Sequence, residues 1–231
     1  MTRKCEPAPV STVAPTFIRH VRWVYKGCVD ELRDEGHAQD DMDSSYHYGL
    51  LPAYMSAVAA VESFVNEVYL SPFSREDCFH GSPIGYLEDS VEREPLICKI
   101  QLISGLLSSS PLESGKQPLQ DLGLLMKVRD EIVHYKMKDS LRCVETLTQK
   151  GIALPPERSG DELTRLDRMC CPRAVRWAHN TACCVVATLI KITPSQYRNL
   201  EMIVDEPYFF LMDKAMVAQI HAGEAIQSPF F

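Results

Sequence analysis

Arg129 and His134, with Asp130 next to the arginine, are the residues of this chain best suited to chemistry. An arginine keeps its charge and forks onto two phosphate oxygens. A histidine exchanges protons near neutral pH. Together they supply what cleavage of a phosphodiester beside a 2′-hydroxyl needs: a base for the attacking hydroxyl, an acid for the leaving oxygen, and positive charge on the phosphorane. A spacing of five puts the two side chains about 140° apart on an α-helix, so the long arginine has to reach around. Asp130 and His134 stand at i and i+4 on one face, where a carboxylate can orient an imidazole. The competing reading is a solvated pair at a helix end, which contributes little.

Other groups gather near this segment. Lys127, Lys136, Lys138 and Arg142 form either a basic rim for a phosphate backbone or an ordinary solvated face. Tyr135 follows His134 and is grouped with the supporting residues. Glu62 and Asn66 are an i, i+4 pair on an otherwise apolar helix. Buried polar groups need partners, so the pair either fixes the Arg129 guanidinium or faces solvent beside Ser63 and Glu67. His179 and Cys183 share a helix face just after Cys170 and Cys171, as a zinc half-site would. No zinc-ribbon or HExxH spacing accompanies them, so neither a metal nor a cofactor is expected. His20, His37, His47, His80 and His221 lack companions at meaningful spacing. Gly115-Lys116 lacks the remaining parts of a phosphate-binding loop.

The elements that must position these residues read as helices. Residues 1–15 are rich in Pro, Ser and Thr and read as a flexible tail. From Thr16, a plausible cap, apolar residues recur at three- and four-residue steps (Phe17, Ile18, Val21, Val24, Tyr25, Cys28, Val29, Leu32), and Gly36 is a plausible stop. After an acidic linker at 37–43, a second helix is expected over about 44–70, with Pro52 marking a kink or its true first turn. Residues 71–92 look irregular. A third helix is expected over 95–107 and a fourth from about Pro118 to at least Tyr135. Residues 151–161 read as a Pro/Gly loop. A helix from Pro172 to Ile192 is apolar nearly all round in its middle and should be central.

Composition narrows the function classes. Apolar residues make up 45% of the chain, enough for a core. A net charge of −7 argues against general coating of nucleic acid but not against a focused site. The nine cysteines are odd in number, include adjacent pairs and form no CxxC, so reduced thiols in a cytoplasmic protein are expected. The first residues lack the apolar stretch of a secretory signal. The longest apolar run, 182–190, is far shorter than the roughly 20 residues that span a bilayer, so no membrane segment is expected.

The segment VRDEIVHYK (128–136) resembles the R-x4-H signature of the HEPN superfamily, in which a polar residue typically follows the arginine, as Asp130 does here. The resemblance extends to AVAAVESFVNEVY (57–69), similar to that family's first core helix, and to CPRAVRWAHNTACCVVATLIKI (171–192), similar to its closing helix. It covers roughly residues 44–192. It implies an all-α, up-and-down helical bundle that pairs as a homodimer. In many members the motifs of two protomers line one cleft that cleaves RNA without a metal; others are inactive and serve as nucleotide-binding or scaffold modules. On this reading residues 16–192 form the domain, with an additional N-terminal helix ahead of a core at about 44–192, and a C-terminal helical extension follows over 193–231. The catalytic group would be Arg129, Asp130 and His134, and the expected partners a second copy and RNA or a nucleotide. The N-terminal helix and the aromatic tail (Tyr208, Phe209, Phe210, Phe230, Phe231) offer alternative contacts with another protein, or the tail aromatics simply pack in the core.

Overall fold

The computed structural model describes residues 13–36, 47–71, 75–76, 79–134, 142–158 and 161–194. The linker at 37–43, Tyr135 and the C-terminal extension past Pro194 lie outside the described residues, as does most of the N-terminal tail.

Helix α1 (Ala14–Asp34) follows from its apolar stripe: Ile18, Val21, Val24, Cys28, Val29 and Leu32 are all buried. It begins two residues before Thr16, so Thr16 is not its cap. Pro15 suits a first turn because its missing N–H has no intrahelical partner there. The Val13 N–H donates instead to the carboxylate of Glu67, at 3.1 Å from each oxygen. An acid from a distant helix thus occupies the positive end of α1. Gly36, at φ 84°, closes the helix in the left-handed conformation that its glycine permits.

Helix α2 (Leu51–Val65) starts with Pro52 in its first turn, so the proline marks the beginning and produces no kink. A 3₁₀ turn (Tyr48–Leu50) leads into it and a π-helical turn (Asn66–Leu70) follows it. The whole segment, Tyr48–Leu70, is 23 residues long and apolar enough by length and composition to cross a membrane. In the fold it is the central helix. Its Ala53, Tyr54, Ala57, Val58, Val61 and Phe64 are buried, and α1, α4 and α7 pack around it.

Two 3₁₀ turns (Pro83–Tyr86 and Asp89–Arg93) occupy part of the expected irregular stretch. Helix α3 (Leu96–Leu107) is capped by Pro95, and α4 (Leu119–Val133) by Pro118. Helices α5 (Cys143–Gln149) and α6 (Arg165–Met169), for which the sequence shows no period, flank the expected loop at 151–161. Between them, Glu157–Arg158 and Asp161–Glu162 pair as a two-residue antiparallel hairpin. Arg168, buried in α6, ties this region together. It makes a bidentate bond to Glu145 (2.9 and 3.0 Å) and donates to the Leu154 carbonyl at 2.9 Å and to Thr148 Oγ1 at 2.6 Å. Helix α7 (Pro172–Ile192) begins with Pro172, as expected, and packs on α1, α2 and α4. The chain is an all-α helical bundle whose core runs from α1 through α2 to α7.

Candidate functional site at the end of α4

Helix α4 buries Leu119, Leu122, Leu125 and Val128, a stripe at three-residue steps. That stripe ends at Val128. Ile132 is only partly buried and Val133 is 55% exposed, so packing no longer holds the final turn, and the helix ends at Val133. His134 is the C-cap, with φ −101° and ψ 29°. Its N–H donates to the Asp130 carbonyl at 2.9 Å, which fixes its backbone. Its side chain is exposed, and the imidazole bonds to none of the described residues.

Arg129 lies five residues earlier, about 7.5 Å along the axis for an ideal helix. Its side chain is 31% exposed and its Nε lies 2.8 Å from Asp130 Oδ1. That Nε is shielded from solvent and lacks the alignment of a hydrogen bond, so the contact is an ion pair only. The expected role of the Asp130 carboxylate is therefore corrected. It sits against the neighbouring guanidinium, and what Asp130 offers His134 is its backbone carbonyl.

Glu62 and Asn66 do not act as a pair on Arg129. Glu62 is exposed. Asn66, at the start of the π-helical turn, accepts a hydrogen bond from Lys99 Nζ at 2.9 Å. Lys99 is 3% exposed, on the buried face of α3. Lys99 is not among the residues that spacing singles out. Its signal was a lone lysine within the apolar run LICKIQLI, where a buried ammonium needs an acceptor.

Of the basic rim, Lys127 and Arg142 are exposed, while Lys136 and Lys138 lie outside the described residues. Lys127 lines an open cleft of about 340 Å³ together with Ile97, Leu124, Thr146 and Lys150. Glu131, which spacing does not single out, accepts from the Cys143 N–H at 3.2 Å and from its thiol at 3.1 Å. It fastens the motif helix to the first turn of α5. Burial, then Glu131 itself, pushes the Cys143 thiol well above its ordinary range.

His179 and Cys183 do share a face, with Sγ 3.7 Å from Nε2. Arg22 occupies the position a metal would take, its Nε donating to His179 Nε2 at 3.1 Å. The other ring nitrogen, Nδ1, lies 3.1 Å from Asn180 Oδ1. Burial, with the Arg22 charge adding to it, holds the imidazole neutral down to about pH 4. No group of three His, Cys, Asp or Glu side chains suited to a metal occurs among the described residues.

Comparison with known proteins finds no matching family model, and no significant match among curated proteins or solved structures.

Proposed function

We propose that the chain is a HEPN-like protein that pairs with a second copy and acts on RNA through His134 and Arg129. The observation that carries this reading is the state of His134: its backbone is fixed by the Asp130 carbonyl while its exposed imidazole engages none of the described residues. A general acid or base needs that combination of fixed position and open access to substrate. Arg129 supports it. Its ion pair is with a neighbouring carboxylate that is itself 59% exposed, a pairing weak enough to yield to a phosphate.

One imidazole cannot at once take the 2′-hydroxyl proton and deliver a proton to the leaving 5′-oxygen, so the proposed reaction uses two copies. One His134 accepts the 2′-hydroxyl proton as the 2′-oxygen bonds to phosphorus. The P–O5′ bond breaks, and the partner's His134 protonates the departing oxygen. The products are a 2′,3′-cyclic phosphate and a 5′-hydroxyl. The test is incubation of end-labelled single-stranded RNA with the protein in chelator. Cleavage to those ends, lost in His134→Ala, is expected; intact RNA contradicts the enzymatic reading.

A non-catalytic nucleotide-binding or scaffold module of the same architecture is the second reading. The Asp130 carboxylate favours it, because at Arg129 it leaves the imidazole without an orienting acid. Saturable RNA binding without cleavage distinguishes it.

A further inference from the structure

At the start of α4, far from His134, Gln117, Pro118 and Asp121 face the outer side of α7 across a cleft of about 340 Å³. Arg173 and Trp177 line the opposite wall, one turn apart on the same face of α7. Arg173 Nε and Trp177 Nε1 are both shielded from solvent and have no acceptor among the described residues. Shielded donors are ordinarily paired. The chain itself continues through residues 195–231, so an acceptor need not come from another molecule.

The chemistry of the cleft selects which of those residues fits. Arg176 also lines it but is already engaged, so the available charge is that of Arg173. Asp121, the one carboxylate of the lining, is held by Lys150 at 2.7 Å and does not neutralise it. Trp177 and Pro118 add apolar surface beside the charge. The matching occupant joins a carboxylate to a flat apolar side chain. Residues 205–210, Asp-Glu-Pro-Tyr-Phe-Phe, do so: two acids stand just before three aromatics. The volume lies at the lower end of the roughly 300–1,000 Å³ of small-ligand sites, which suits a few side chains. Reach is sufficient. From Trp177 to Ile192, α7 covers about 22 Å at 1.5 Å per residue. Residues 193–204 span up to about 40 Å when extended, enough to return along α7.

We propose that residues 205–210 of the same chain dock in this cleft, with a carboxylate of Asp205 or Glu206 on the Arg173 guanidinium and an aromatic ring from Tyr208 or Phe209 against Trp177 and Pro118. A carboxylate accepts well from a guanidinium N–H, and the docked segment fastens the C-terminal extension to both α4 and α7. This contact lies away from His134 and does not depend on RNA cleavage.

Trp23 and Trp177 are the two tryptophans of the chain, and Trp23 is largely exposed on α1. In the full chain carrying Trp23→Phe, Trp177 alone reports on the cleft. Acrylamide reaches its ring through an open cleft and is kept out of an occupied one, so the emission of this parent should resist quenching. Asp205→Lys with Glu206→Lys should raise the quenching constant severalfold, and Arg173→Glu should do the same. Combining all these charge reversals should restore the protection, which a misfolded variant would not do. Protection should also persist on dilution to nanomolar protein. Loss of protection on dilution would mean that a second copy fills the cleft. That result, unchanged quenching in the charge-reversed variants, or no recovery in the combined variant would overturn the proposal.

Discussion

Lys99 Nζ donates to Asn66 Oδ1 across 2.9 Å, joining the buried face of α3 to the π-helical turn after α2. The amide that sequence spacing associates with Arg129 is thereby committed to a structural bond. Removing it leaves an ammonium that is 3% exposed without this acceptor. Asn66→Ala should therefore lower stability by about 1–3 kcal/mol, while Lys99→Met, which removes the charge and keeps the apolar stem, should cost less. Chemical denaturation of both variants checks this. Equal losses would mean that the bond itself, and not the stranded charge, sets the cost.

His179 gives the fold an acid-sensitive element. Its imidazole is fully buried and neutral, accepting from Arg22. Its folded pKa is depressed to about 4, chiefly by burial. On acidification the unfolded chain therefore takes up a proton near the ordinary histidine value while the folded chain does not. Stability falls as pH drops from about 6.5 to about 4, by on the order of 3 kcal/mol. Below that window this contribution is flat. His179→Gln keeps an acceptor for Arg22 but has no proton to gain, so its stability should lose that slope. Urea midpoints of both proteins at pH 7, 5.5 and 4.5 measure the difference; parallel curves would contradict it.

The proposed composite site requires two copies. Sedimentation at micromolar concentration should show a homodimer, with helices bearing residues 57–69 and 128–134 at the pairing face. A charge placed at Val133, which is 55% exposed beside His134, should weaken the dimer without unfolding the subunit. A wild-type monomer at all concentrations would remove the two-histidine mechanism, since one copy supplies one His134.

Much of this architecture was legible because proline and hydrophobic period coincide. Pro52 and Pro172 stand in the first turns of α2 and α7, and Pro95 and Pro118 immediately precede α3 and α4. The stripe from Ile18 to Leu32 fixes α1. Helices α5 and α6 escaped because seven and five residues are too few to display a period. Yet α6 carries a local signal, the capping box in which Thr164 and Asp167 bond each other's backbone N–H. At the site, spacing correctly placed Arg129 and His134 at one end of one helix. It could not show that Asp130 turns to Arg129, nor that Asn66 turns to Lys99. Each of those choices depends on which competing partner tertiary packing brings closer.

The most direct test of the proposed site measures RNA cleavage and thermal unfolding on the same two variants, His134→Ala and Arg129→Lys. His134 is exposed and bonded only through its backbone among the described residues, so His134→Ala should melt with the wild type. Cleavage should fall by at least about 10²-fold, the usual scale for a general acid–base group. Arg129→Lys should also lose cleavage, because an ammonium does not reproduce the guanidinium fork. Wild-type protein that leaves every RNA intact, with variants that melt early, would contradict the account.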